Sequence, residues 1–239
     1  MKVRIKFSKL GPVKFLGHLD TMRYFQKAVR RSGLPAAFSG GYSPHMIMSF
    51  ACPLGVGVES EAEYFDLELA EYVPTEEVTQ RLNDVMGEGF HVAGTTEIEE
   101  GKAGNAMSLV AAADYLVTFR EGKEPDGDFY AGLEDFLSQE EIPFTKVTRK
   151  GESQVDLRPN IYEMQRRDDG IFLTLASASS NYTKPEAVMK AYADYLGIEL
   201  APFAFQTRRL EIYADEGVEG ERKLVTLAYA HAARKEDEN

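Results

Sequence analysis

Tryptophan is absent from this chain of 239 residues, cysteine occurs once and histidine only four times. The single cysteine, Cys52, allows no internal disulfide, which fits a reducing compartment. It also excludes an iron–sulfur cluster, which takes about four cysteines, and the usual structural zinc site, which needs two or more with histidine. The histidines, His18, His45, His91 and His231, form no HxxxH or HExxH pair. The only metal set left to weigh is His18, His45 and a carboxylate, and neither a metal nor a cofactor is expected. No run approaches the ~18 apolar residues of a membrane span. The opening MKVRIKFSKL alternates charge with apolar residues and lacks the apolar core of a signal peptide. The expectation is a soluble, cytoplasmic protein with no membrane partner.

Cations are in deficit overall, since the net charge is −12. This disfavours a generic nucleic-acid binder. The deficit is uneven. Residues 1–50 hold nine cations against one acid, Asp20, giving +8, so the remainder carries −12 minus 8, or −20. A basic head on an acidic body faces either an anionic partner or its own acidic surface.

Hydrophobic residues make up 44% of the chain, enough for true cores. Val3, Ile5 and Phe7 alternate with Lys2, Arg4 and Lys6, the period of a strand with one buried face. Residues 19–32 follow as a helix with Leu19, Met22, Phe25 and Val29 inward and Gly33 just past its end. Strands are expected at 45–51, 62–70 and 90–98. A helix entered by Pro74 uses Val78, Leu82 and Val85. After a linker at 99–112 the order repeats: strand, a helix over 128–139, strands around an extra hairpin, a helix from Pro185 to Gly197, and a last strand. The fold class is α+β: two tandem ferredoxin-like βαββαβ units with antiparallel sheets and helices on one face, at 1–98 and 113–215. An extension, 216–239, is expected to fray.

Several groups are candidates for chemistry. Arg23, Lys27 and Arg30 lie at i, i+4 and i+7, one outer face of the first helix that can hold phosphates, or that merely suits a helix C-terminus. His18 and Asp20 open that helix. Asp20 favours its positive end, and a histidine at this place, His18, is a residue type suited to general acid-base work. In SGGYSPH, residues 39–45, two glycines permit positive φ, while Ser39, Tyr42 and Ser43 supply hydroxyls beside Gly41 and His45. This stretch matches neither the Walker A nor the G-x-G-x-x-G pattern. In VDLRP, Asp156 and Arg158 share one face of a strand. Lys2, Arg4 and Lys6 on the first strand should pair with Asp66 and Glu68 of the third, which quenches that face. The aromatic stacking platform of RNA-recognition domains is missing there.

The runs KFSKLGPVKFLGHLD, RSGLPAAFSGGYSPH and SFACPLGVGVESEAEYFDLEL, with VDLRP later, resemble a bacterial radical-SAM-linked domain of unknown function. The resemblance spans about residues 2–215. The matching positions are Gly17, His18, Asp20, Gly41, Tyr42, Pro44, Asp156 and Arg158. In that family the domain is fused behind a radical SAM enzyme or encoded beside one. The chain has no CxxxCxxC, so the resemblance implies a free-standing partner of a separately encoded radical SAM enzyme, which recognises its substrate, with RNA or another anionic ligand as the candidate.

The binding set is then Asp20, Arg23, Lys27, Arg30, Ser39, Gly41, Tyr42, Ser43, Asp156 and Arg158. Tandem ferredoxin-like units with a histidine near the first helix are also similar, by fold analogy, to CRISPR repeat-processing endoribonucleases. The alternative is thus a metal-independent RNA-processing enzyme with His18 or His45 as general acid-base. The glycine-rich C-terminal loop of those nucleases is not evident in DEGVEGER. A third possibility is a small-anion or cofactor binder using the glycine-serine loop.

Overall fold

The computed structural model describes residues 1–99, 104–125, 127–148, 151–167, 170–218 and 221–231. The protein is mixed α+β, with mostly antiparallel strands and a few helices. It forms two compact units: Met1–Ala111 with Glu211–Asn239, and Ala112–Leu210.

The first unit opens with β1 (Lys2–Lys9), a 3-10 turn (Gly11–Phe15) and α1 (His18–Arg31). Then come β2 (Met48–Phe50), β3 (Glu59–Glu68), α2 (Thr75–Asn83), β4 (Phe90–Ile98) and a single turn, α3 (Ala106–Leu109). The strand order is β4-β1-β3, and β2 pairs with β3; all these pairings are antiparallel. Alternation puts Val3, Ile5, Phe7, Phe65 and Leu67 on one face, where they bury against Phe25 and Val29 of α1 and Val78 and Leu82 of α2. Phe7 is the hub, its ring 4.4 Å from Phe25 and about 6 Å from Phe50, Phe65 and Phe90. α1 is turned from the expected stripe. Thr21, Phe25, Ala28 and Val29 are buried, and Leu19 is exposed.

The opposite face of the sheet is also covered. Arg4 is opposite Asp66 in the ladder and pairs with it through Nε–Oδ1 at 2.8 Å, as the charge pattern predicts. Burial exceeds expectation, because Arg4 is only 1% exposed. Its guanidinium also donates to the carbonyls of Gly104, Leu227 and Ala230. Lys6 binds Glu211 at 2.6 Å, and Tyr64 donates to the same carboxylate at 2.6 Å. Burial, reinforced by Glu211, pushes the Tyr64 phenol far up from its ordinary pKa.

The second unit contains β5 (Val110–Phe119, from Ala112), α4 (Leu133–Ser138), the hairpin β6 (Pro143–Thr148) and β7 (Gly151–Asp156), β8 (Ile161–Arg167), β9 (Gly170–Ala176), α5 (Pro185–Leu196) and β10 (Phe205–Asp215) up to Leu210. Its order is β10-β5-β9-β8, with the hairpin as a separate two-stranded sheet. Phe129 and Phe136 pack edge-on to Tyr192 of α5, each at 5.1 Å. The helix expected over 128–139 is shorter. Gly132 lies so close to α5 that a Cβ there would meet Leu196 at 2.8 Å, and the Tyr192 hydroxyl holds the Gly132 N–H and the Phe129 carbonyl.

The chain after β10 returns to the first unit. β11 (Leu224–Thr226) pairs with Tyr213–Asp215, and Leu227 and Ala230 are fully buried. Within the extension expected to fray, β11, Leu227 and Ala230 are held against the first unit, where the Leu227 and Ala230 carbonyls accept from Arg4. Residues 232–239 lie outside the described residues. The end of the expected linker is also packed: Asp66 accepts from Ala106 N at 2.8 Å and Asn105 caps α3. Residues 100–103 lie outside the described residues.

Candidate functional site

The start of α1 combines a buried cation, a histidine and an unmet hydroxyl. Gly17, extended at φ −71° and ψ 168°, is the residue before the helix and gives it no side-chain cap. The preceding 3-10 turn is fastened by Glu59, which accepts from Gly11 N and Lys14 Nζ, both at 3.2 Å. The loop before β3 is tied to this turn by Gly57 N donating to Lys14 O at 2.9 Å.

Between these pieces lies a narrow slot of about 10 Å³, room for one water, lined by Phe7, Lys9, His18, Thr21, Phe50, Cys52, Leu54 and Glu63. Lys9 is 2% exposed and donates to Leu16 O at 2.6 Å and Lys14 O at 3.4 Å. Burial pulls its pKa below the ordinary lysine value, against the raising effect of Glu63. Glu63 is 4% exposed. The His18 ring stands edge-on to Phe50, centroids 5.6 Å apart. The Thr21 hydroxyl is buried and has no hydrogen-bond partner among the described residues. A buried hydroxyl without a partner costs about 1–3 kcal/mol. Phe15, Leu19 and Val56, from the segments around this slot, are exposed apolar side chains.

Of the candidate catalytic and binding residues read from the sequence, His18 alone lines the slot. Asp20 and Arg23 form an exposed pair at 3.3 Å, which spends part of the Arg23 charge. Lys27 and Arg30 are exposed and make no ion pair among the described residues. The glycine-serine loop is held at its neck: Ser39 Oγ accepts from His45 N at 3.1 Å and contacts His45 Nδ1 at 2.8 Å, and Ser39 N donates to His45 O. Gly41 takes φ +100°, and Tyr42, Ser43 and Pro44 stand in solvent. Asp156 and Arg158 belong to the second unit. There Asp156 accepts from Ile142 N and Arg158 N, and the Arg158 guanidinium donates to Leu137 O and Ile161 O. Both side chains thereby fasten the base of the hairpin.

Sequence reasoning missed Lys9, Thr21, Cys52 and Glu63. The signal was parity: Lys9 continues the inward series Val3, Ile5, Phe7, and Glu63 precedes Phe65 and Leu67 on the same side. Two inward charges on neighbouring strands mark a polar spot in a core. Among the described residues no three His, Cys, Asp or Glu side chains are grouped to hold a metal ion.

No curated protein matches the chain. Among solved structures, a chain of the "Crystal Structure of a Cbf5-Nop10-Gar1 Complex" is similar over 88% of this chain, with 12% identity and a TM-score of 0.48. This chain spans 48% of the length of that one, about half. A bacterial family described as "Uncharacterized protein conserved in bacteria (DUF2344)" matches residues 2–185, a span that holds the slot, the basic face of α1, the glycine-serine loop and the Asp156–Arg158 staple, and the chain belongs to that family.

Proposed function

We propose that the protein is an accessory, substrate-recognising partner of a separately encoded radical SAM enzyme, and that the substrate it presents is RNA. The enzyme supplies the cluster and the radical chemistry; this chain supplies orientation. In this reading the two units are tandem ferredoxin-like folds. Support for that comes from the orders β4-β1-β3 and β10-β5-β9-β8, each with two helices in its connections. The observation that carries the RNA reading is the outer row of α1, where Lys27 and Arg30 are exposed and make no ion pair among the described residues, although the whole chain is at −12. An acidic protein that keeps such a row open has a place for phosphates. Phe15, Leu19 and Val56 add exposed apolar surface in the same unit for a protein contact.

The test is co-purification with the radical SAM protein encoded beside it, followed by titration of the pair with labelled single-stranded RNA. Association at micromolar concentration, and RNA binding that weakens with salt, are the expected results. No association sinks the partner reading, and no RNA binding sinks the substrate reading. Cleavage of the RNA by this chain alone in EDTA, lost in His18→Ala or His45→Ala, favours the endoribonuclease reading instead.

A further inference from the structure

Residues 21–58 contain no aspartate or glutamate, although the chain has 39 acids. That run carries the cations of α1 and then the glycine-serine loop, and the two are neighbours in space. α1 starts beside the end of β1, since His18 and Thr21 meet Lys9 around the slot. It runs back along the sheet towards the start of that strand. Gly33 then turns the chain, and Ala36 bridges to Leu69, whose N–H donates to Met1 O at 2.9 Å. The last turns of α1 and the hairpin that follows therefore share one end of the first unit.

This hairpin has a firm neck and a free tip. Phe38 bridges to Met46, which is buried in the core, and Ser39 is bonded to His45 through N, and again through Oγ. Beyond the neck Tyr42 is wholly exposed, and Gly40, Gly41 and Ser43 beside it are too small to cover its ring. Glu68 meets the hairpin at its root, between Ala37 and Ile47, and not at the tip. Cations that take phosphates and an aromatic face that takes a base are the two parts by which proteins hold single-stranded nucleic acid. Stacking uses the face of the ring, so it needs no deep pocket. An acidic peptide would also be drawn to the cations, but a ring held clear of apolar neighbours offers it no pocket to fill.

We propose that Tyr42 is a base-stacking finger, which stacks on an unpaired base of a single-stranded RNA whose phosphates lie on Lys27 and Arg30. The inference deepens the RNA reading of α1 and rests on it: the cation row holds the strand by charge, and the pinned loop holds a base by its face. The Ser39–His45 neck sets the direction of the finger before the RNA arrives.

The chain has no tryptophan, so Tyr42→Trp places a single indole at the tip of the loop. The experiment follows its fluorescence during titration with single-stranded oligoadenylate about 12 nucleotides long. Stacking should quench it saturably, and an abasic strand with the same phosphates should not. A parallel arm titrates labelled oligoadenylate against the wild type and Tyr42→Ala, a substitution at a side chain that packs on nothing. Tyr42→Ala should weaken binding about tenfold and leave the salt dependence of affinity as it is, because no phosphate contact is lost. RNA that binds without quenching Tyr42→Trp, or binds equally to the wild type and Tyr42→Ala, overturns the stacking inference and leaves the RNA reading standing. If Tyr42→Ala instead weakens association with the radical SAM protein at unchanged RNA affinity, the tip is a protein contact and the inference falls. RNA that fails to bind the wild type removes the RNA reading and the finger with it.

Discussion

Arg4 Nε lies 2.8 Å from Asp66 Oδ1 across the β1–β3 ladder, and each side chain is at most 2% exposed. Arg4 spends its other donors on the carbonyls of Gly104, Leu227 and Ala230. One side chain thereby joins the first strand to the third, to the segment before α3 and to the returning C-terminal segment. Breaking such a pair costs far more than making it gains, since the survivor is left charged and buried.

Arg4→Ala should therefore destabilise the protein by about 3–5 kcal/mol, read as a lower urea midpoint. Arg4→Lys should recover only part of that loss, because a point ammonium cannot fork across Asp66 and three carbonyls. Full recovery by lysine would show that charge alone matters here.

The C-terminal segment offers an independent test. Leu227 is fully buried in the cover over the sheet, and Leu227→Ala should cost about 2–5 kcal/mol in chemical unfolding. A loss below a few tenths would mean that this cover forms no part of the cooperative fold.

The acid limb should reflect Asp215. Its carboxylate accepts from Lys223 N and Gly217 N at 2.9 Å, and these bonds, more than nearby Arg222, hold its pKa below the ordinary 3.8. A depressed carboxylate pKa contributes stability above the unfolded value, which is lost as pH falls through the folded one. Asp215→Asn should remove that part of the acid dependence, seen by comparing unfolding midpoints of the two proteins from pH 6 down to about 3. Parallel curves would refute it.

Lys9 gives the opposite limb. Its folded pKa lies below 10.5, chiefly through desolvation, so the unfolded chain keeps this proton to higher pH. Between the depressed folded value and 10.5 the contribution of Lys9 to stability rises with pH. The stability of wild type relative to Lys9→Met should accordingly climb through the alkaline range. A flat difference would show that the ammonium is as well solvated in the fold as outside it.

For the RNA reading, Lys27→Glu/Arg30→Glu should flatten the dependence of log affinity on log salt. Two lost phosphate contacts on a single strand amount to a slope change of about 1.4. An unchanged slope would place the RNA elsewhere.

Much of the architecture was legible in the chain because periodicity is a local property. The alternation of Val3, Ile5 and Phe7, Pro185 and Gly197 at the ends of α5, and the pairing of Arg4 with Asp66 all follow from side-chain spacing and charge. The same spacing misplaced Leu19, which is apolar and exposed, since helical periodicity leaves the rotation of α1 undetermined within about one residue. Residue types alone suggested a joint binding role for Asp156 and Arg158, yet their bonds go to the base of a hairpin, and a carbonyl that needs a donor is invisible in a sequence.

The sequence by itself determined the α+β class, the strand and helix periods and the charge asymmetry, because each depends on composition or near neighbours. Tertiary structure alone decided that Arg4 is buried under a returning C-terminal segment, and that Lys9, Thr21, Cys52 and Glu63 share one slot. Those residues are up to 226 positions apart in the case of Arg4 and Ala230. Only the packing of strands, helix and loops around a common core brings such groups within hydrogen-bonding reach, and no local pattern records it.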